Sequence, residues 1–208
     1  TFMPQPPAVD ATALARFRTF VEACSEEGLA PMPSLLVGHM SGENYDFPGQ
    51  AGRSPYTDPE LLGWQRALCH AATRAAGGSP ALAAWVLSNE MPLWGGPAEP
   101  ETIRAWAGEL GGALRAADPG VPVGTGDGFM NQGGGQNGFD PGLLAGVLDY
   151  LGPHTYYGDP DPMRQAVNAE FLVRALQHLG KQVVLEEFGG SRGQMSEEHQ
   201  AAYYREVI

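Results

Sequence analysis

Five short apolar runs alternate with amphipathic stretches along this chain, and that alternation limits the folds open to it. The runs end near residues 37, 88, 125, 156 and 187, in steps of about 30 to 50 residues, the length of a strand–helix unit. Strands separated by a covering helix lie parallel, so the pattern predicts an α/β fold with a parallel sheet clothed by helices. Two architectures satisfy it: an open doubly wound sheet and a closed (β/α)8 TIM barrel. Polar residues decide between them. His39, Asn89 and Glu90, Asp127, His154 and Tyr156, and Glu187 stand at the C-terminal ends of successive runs. A barrel gathers all such ends around one mouth, whereas a doubly wound sheet gathers them only at its switch point. The glycine-rich segment GDGFMNQGGGQNG, residues 126–138, has no lysine and follows a middle strand, so it reads as a loop at the rim of a site rather than a phosphate cradle. The barrel is the expected fold. Five runs and a strand tail at Thr1-Phe2 fall short of eight. Residues 1–208 are therefore expected to form a single barrel domain, a fragment incomplete at both ends that lacks the first strand, most of the second, and the eighth.

The strands are expected over residues 29–37, 81–88, 121–125, 150–156 and 181–188. Leu14, Phe17, Val21 and Cys24 fall at helical spacing, which predicts a helix over residues 10–27. Thr57-Asp58-Pro59 starts the next helix, which stops at Gly77-Gly78. Further helices are expected over residues 100–117, 140–148 and 161–179, and from Ser196 onward. Residues 38–56 read as a long polar loop.

A net charge of −12 argues against nucleic acid or an anionic membrane as partner, since phosphate binding requires a cationic face; a neutral ligand fits. No apolar run approaches the length of a membrane span. Cys24 and Cys69 lack metal-ligand spacing and read as buried small residues, which fits a reducing compartment such as the cytoplasm.

A carboxylate at the end of a buried strand costs several kcal/mol unless it is paired or used. Glu90, in WVLSNEMP, and Glu187, in LEEFGG, are two such groups, 97 residues apart, with room for three strand–helix units between them. Two carboxyl groups at one barrel mouth suit glycoside hydrolysis: one protonates the leaving oxygen, and the other attacks the anomeric carbon or activates water. The acid must hold its proton near neutral pH, which an apolar setting and the partner's charge favour.

These motifs resemble those of the clan A glycoside hydrolases. WVLSNEMP resembles the Asn-Glu ending their fourth strand, and LEEFGG the Glu-aromatic-Gly ending the seventh. GPHTYY resembles the His-x-Tyr on the sixth strand of family 5, the cellulases, β-mannanases and β-mannosidases. The likeness runs from the end of the second strand to the seventh helix; the family's strand-two arginine and strand-eight tryptophan have no counterpart. It implies a retaining enzyme cleaving β-mannosides or β-glucans by double displacement, with no cofactor or metal and a carbohydrate as partner. Glu90 would be the acid/base and Glu187 the nucleophile. Asn89 would hold the sugar 2-hydroxyl, Tyr156 would hydrogen-bond Glu187, and His154 and His39 would line the site. Trp94 is either a sugar platform or packing for its loop. A β-galactosidase, a transglycosylase, or a non-catalytic carbohydrate-binding remnant of the fold are the alternatives.

The remaining residues have structural readings. Strand alternation puts Leu185 and Glu187 on one side and Glu186 on the other, which makes Glu186 a supporting contact. Asn89 and Glu90 are adjacent, so a bulge or a strand end must bring both to the site. Asp127, Asp159 and Asp161 suit turns and helix caps better than a metal. Trp64, Trp85 and Trp106 are expected in the core.

Overall fold

The helices begin where their capping residues stand. A computed structural model of the chain describes residues 2–129, 137–156, 160–190, 193 and 195–208; Asp159 and residues 130–136 of the glycine-rich segment lie outside them. Asp10 caps α1 (Ala11–Glu26), accepting from the Ala13 N–H at 2.7 Å. Asp58 caps α2 (Pro59–Ala76), accepting from the Glu60 and Leu61 N–H groups at 3.1 and 3.0 Å. Proline at the first helical position loses no hydrogen bond there. The same opening starts α3 (Pro100–Ala117), α4 (Pro141–Ala145, capped by Asp140) and α5 (Pro162–Gln177, capped by Asp161), while Ser196 caps α6 (Glu197–Val207). Asp58→Ala leaves two first-turn donors unmet and is expected to cost about 1 kcal/mol, read by chemical denaturation.

The strands are shorter than expected. β1 covers only Ser34–Val37. Pro31 and Pro33 have no N–H to give, although their carbonyls accept from Ala83 and Val86 at 3.1 Å each. A hairpin then interrupts the segment read as loop: β2 (His39–Met40) pairs antiparallel with β3 (Glu43–Asn44). Its turn residues Ser41 and Gly42 have φ of 54° and 83°, the left-handed pair of a tight hairpin. β4 (Trp85–Asn89) and β5 (Val123–Gly124) extend the sheet in the order β1-β4-β5, all parallel. β6 (Tyr150–Leu151) and β7 (His154–Thr155) are two halves of one strand path split by Gly152-Pro153. β8 (Gln182–Val183) and β9 (Glu187–Phe188) are two halves of the next and pair parallel with β6 and β7. The backbone N–H groups of Asp149 and His154 donate to the Val123 and Gly128 carbonyls, both at 3.0 Å, joining the β5 path to the β6–β7 path.

Neighbouring paths therefore follow chain order without reversal. A doubly wound sheet requires a reversal; a barrel wall does not. The architecture is part of a (β/α)8 barrel, built from small, open sheets with helices outside.

The core lies between β4–β5 and the helices α2 and α3. Trp85, Leu87 and Val123 meet Leu68, Ala72, Ile103, Trp106, Leu110 and Leu114. Trp106 donates its indole N–H to Gln65 at 2.8 Å, and Gln65 donates onward to the Pro55 carbonyl at 2.7 Å, so the polar atoms of these two buried side chains are paired. Trp64 lies at the edge of the core rather than inside it. It packs against the core cluster but is only half-buried, stacks on Phe47 and lies beneath the Arg53 guanidinium. Cys24 and Cys69 are buried free thiols. Among the described residues, no helix is long and apolar enough to cross a membrane.

Candidate active site

β4 delivers Asn89, and the chain turns on the next residue. Glu90 has φ +45°, a left-handed conformation that disfavours residues other than glycine and costs about 1 kcal/mol. Its N–H donates to the Gly126 carbonyl at 2.7 Å and its carbonyl accepts from Leu93 at 2.9 Å. The strand thus ends in a fixed turn, not a bulge, and both residues stay at the mouth. Gly126 has to be glycine: a Cβ there would collide with the Ser88 carbonyl. Glu90 is buried, 8% exposed. The Asn89 amide donates to the His39 carbonyl at 3.0 Å, which ties the end of β4 to the hairpin.

The bulge lies instead on the β8–β9 path. Tyr150 pairs with Gln182 and Leu151 with Val183, but His154 pairs with Glu187. Four residues on one path span five on the other, so one extra residue enters between β8 and β9. Alternation accordingly fails at this point. Leu185 faces the groove between α5 and α6, while Glu186 and Glu187 both line a cavity of about 170 Å³ inside the wall, with Ser34, Val86, Asn89 and His154. Glu186 does not lie opposite Glu187, as alternation predicts; the extra residue brings both inward.

All three glutamates converge on one imidazole. His154 Nδ1 lies 3.1 Å from Glu90 Oε1 and 3.7 Å from Glu187 Oε1, and Nε2 lies 3.5 Å from Glu186 Oε2. Tyr156 donates to Glu187 Oε2 at 2.8 Å, and the buried Tyr150 donates to Glu186 Oε1 at 2.6 Å. On the other side, His39 Nε2 lies 3.4 Å from Glu90 Oε2. His39 Nδ1 meets Asn44 Oδ1 at 2.6 Å, while the Asn44 amide donates to the Leu93 carbonyl at 2.8 Å. That second bond turns Oδ1 toward the ring, so Nδ1 carries the proton. Asn44, Tyr150 and the inward face of Glu186 escape sequence reasoning. The Ser-Gly pair at 41–42 is a hairpin signal that would have placed Asn44 beside His39; nothing comparable marks Tyr150.

Burial alone would lower the His154 pKa, but hydrogen bonds to Glu186 and Glu90 and the charge of Glu187 outweigh it, and the value is raised. The sign of the linkage follows. The stabilisation is fully present below the ordinary histidine value of about 6.5 and is lost as pH rises through the raised folded value. The unfolding free energy of the wild-type chain, minus that of His154→Asn, is expected to fall over that alkaline window, as thermal unfolding across a pH series would show. Asp127 is fully buried; its carboxyl is pushed up to about 6 by burial, against the opposing hydrogen bond from Thr125. It also accepts from the Phe129 N–H, which is turn chemistry, as expected. Asp161 caps α5.

Trp94 donates its indole N–H to the Asn89 carbonyl at 3.1 Å, and its ring fills the space a side chain at Gly38 would take. These contacts favour loop packing over a free sugar platform. Single donor atoms of Glu90, His154 and Glu187 lie within 4.8 Å of one another, close enough to share a cation. However, both nitrogens of His154 face carboxylates, the arrangement of a doubly protonated ring rather than a ligand with a free lone pair.

No protein-family model matches the chain, and no curated protein sequence matches it. Solved structures do. An exo-β-1,4-mannosidase from Opitutaceae bacterium strain TAV5 is 27% identical, with a TM-score of 0.82 over 100% of this chain and 41% of its own. A GH5_18 protein from Streptomyces cattleya, in complex with Manβ1-4GlcNAc, is 19% identical with a TM-score of 0.86, covering 100% of this chain and 56% of its own. The chain shares the fold of family 5 glycoside hydrolases. An endo-1,4-β-D-mannanase from Thermotoga petrophila RKU-1 shares the family 5 fold more loosely, with 20% identity, a TM-score of 0.70, and coverage of 93% of this chain and 64% of its own. The chain spans about half the length of such structures.

Proposed function

We propose that this chain carries the two-glutamate site of a retaining glycoside hydrolase acting on β-mannosidic bonds. One observation carries the reading: Glu90 and Glu187, delivered by separate strand paths, meet at one imidazole nitrogen with carboxylate oxygens within 4.8 Å of each other. Retaining enzymes hold their carboxyl groups about 5–5.5 Å apart, and inverting ones leave about 6.5–9.5 Å for a water. Oxygens this near each other support the retaining reading.

In the first step Glu187 attacks the anomeric carbon while Glu90 delivers its proton to the departing oxygen. In the second, Glu90 removes a proton from water, which displaces Glu187 and frees the sugar. Tyr156 steadies the Glu187 oxygen before attack. Asn89 stands beside Glu90 at the sugar's 2-hydroxyl, although its amide here is bonded to the His39 carbonyl. A β-mannoside is the first substrate to try because the relatives named above include a β-mannosidase and a β-mannanase; a β-glucan is the second.

A non-catalytic carbohydrate-binding role is the competing reading, favoured by the small, open sheets. A panel of aryl β-glycosides separates the two. Release of the aryl group from the β-mannoside, with retained configuration by NMR, supports the enzyme. Sugar binding by a folded chain that cleaves no member of the panel supports the binding role.

A further inference from the structure

Glu186 has no task in the two-glutamate scheme, yet the fold makes room for it. A Cβ on Gly152 would collide with the Glu186 carboxylate, and a Cβ on Gly124 would collide with the Tyr150 ring that binds that carboxylate. Two glycines on neighbouring strand paths therefore vacate the volume that Glu186 and Tyr150 fill. The bulge between β8 and β9 turns Glu186 into this volume. A buried carboxylate needs a positive partner or several donors. Tyr150 supplies one donor to Oε1, and among the described residues the only ion pair Glu186 makes is with His154 Nε2. Its Oε2 is buried without a closer hydrogen-bond partner.

We propose that Glu186 is a positioning residue: clamped by Tyr150, its carboxylate holds the rear nitrogen of His154 in the protonated form, so that Nδ1 always presents a proton between Glu90 and Glu187. This rests on the reading of Glu90 and Glu187 as the reacting pair. Neutral imidazole has one N–H, and either tautomer would leave a lone pair facing a carboxylate. The doubly protonated ring donates on both sides. During turnover Glu90 alternates between protonated and ionised forms, and Nδ1–H offers it a fixed donor in each. The ionisable groups facing His154 are Glu90, beyond β4, Glu187 on β9 and Glu186 just before it; Tyr156 and His39 act on it through Glu187 and Glu90. The raised pKa of His154 agrees with this arrangement.

The test is the titration of the His154 ring nitrogens by heteronuclear NMR in the 208-residue chain, in wild type and in Glu186→Gln. The amide keeps the size of the glutamate and removes its charge. The midpoint for His154 is expected to fall by at least one pH unit in Glu186→Gln, and by less in Tyr150→Phe, which weakens the clamp only. The alkaline limb of kcat/KM on an aryl β-mannoside is expected to move down with it, while KM stays within about twofold. An unchanged His154 midpoint in a folded Glu186→Gln chain overturns the proposal. If Glu186→Gln does not fold, the Tyr150→Phe midpoint decides in its place, with no shift again overturning it. The nuclear resonance readout needs no turnover. A wild-type chain that cleaves no glycoside therefore sinks the hydrolase reading and still leaves the Glu186–His154 coupling to be decided.

Discussion

Glu187→Ala is expected to lower turnover of an aryl β-mannoside by about four orders of magnitude, or about 5.4 kcal/mol at the barrier. The size follows from the step removed. Without a carboxylate beneath the anomeric carbon no glycosyl-enzyme forms, and the remaining groups offer only proton transfer and binding. The structure adds a further cost. Tyr156 donates to Glu187 at 2.8 Å, and in the variant that hydroxyl has no acceptor there. Small anions should enter the vacated space, so azide is expected to restore activity and yield a glycosyl azide of inverted configuration. A 2-fluoro mannoside should label the wild-type chain on the peptide containing Glu187 and leave the variant unlabelled. Activity that survives the substitution would remove Glu187 from the nucleophile's role.

Much of this was legible in the sequence, for identifiable reasons. Helix starts are local events: Asp10, Asp58, Asp140, Asp161 and Ser196 each bond an N–H two or three residues on, so the sequence alone places them. Barrel order was legible because strand ends carrying Glu90, His154 and Glu187 recur at the spacing of strand–helix units. Strand length was not. Pro31, Pro33 and Pro153 sit in apolar runs and accept hydrogen bonds while donating none, so their ladders are one-sided and break early.

The direction of Glu186 was the least legible. Period-two alternation is reliable while pairing is regular, and a single inserted residue inverts it. Nothing between Gln182 and Glu187 announces the insertion. It shows only when Tyr150–His154 is laid against Gln182–Glu187 and the two segments differ by one residue. The glycines opposite are the remaining clue, and Gly152 and Gly124 acquire meaning only once their neighbours are known. Glu90 is a related case. The sequence showed that two adjacent polar residues had to reach one site; a left-handed φ at a glutamate was the solution, and no local signal predicts that strain.

Glu90→Gln should divide the two halves of the reaction, and this makes it the sharper test of the pair. General acid–base catalysis contributes about a hundredfold to ten-thousandfold. For a phenyl or alkyl β-mannoside, whose leaving group needs a proton, kcat/KM is expected to fall by about a thousandfold, or about 4 kcal/mol. For a dinitrophenyl β-mannoside, which leaves unaided, kcat/KM should stay within about tenfold. Its steady-state kcat should nevertheless fall, because water attack on the glycosyl-enzyme still needs Glu90 as base, and an initial burst of dinitrophenol should appear. Azide needs no base, so it should restore kcat and give a glycosyl azide of retained configuration, the opposite stereochemistry to the Glu187→Ala product. Glutamine preserves the shape at a position that is 8% exposed and bonded to His154, which keeps misfolding from mimicking the result. Equal losses on both leaving groups would mean that Glu90 transfers no proton and that the carboxylate pair has another use.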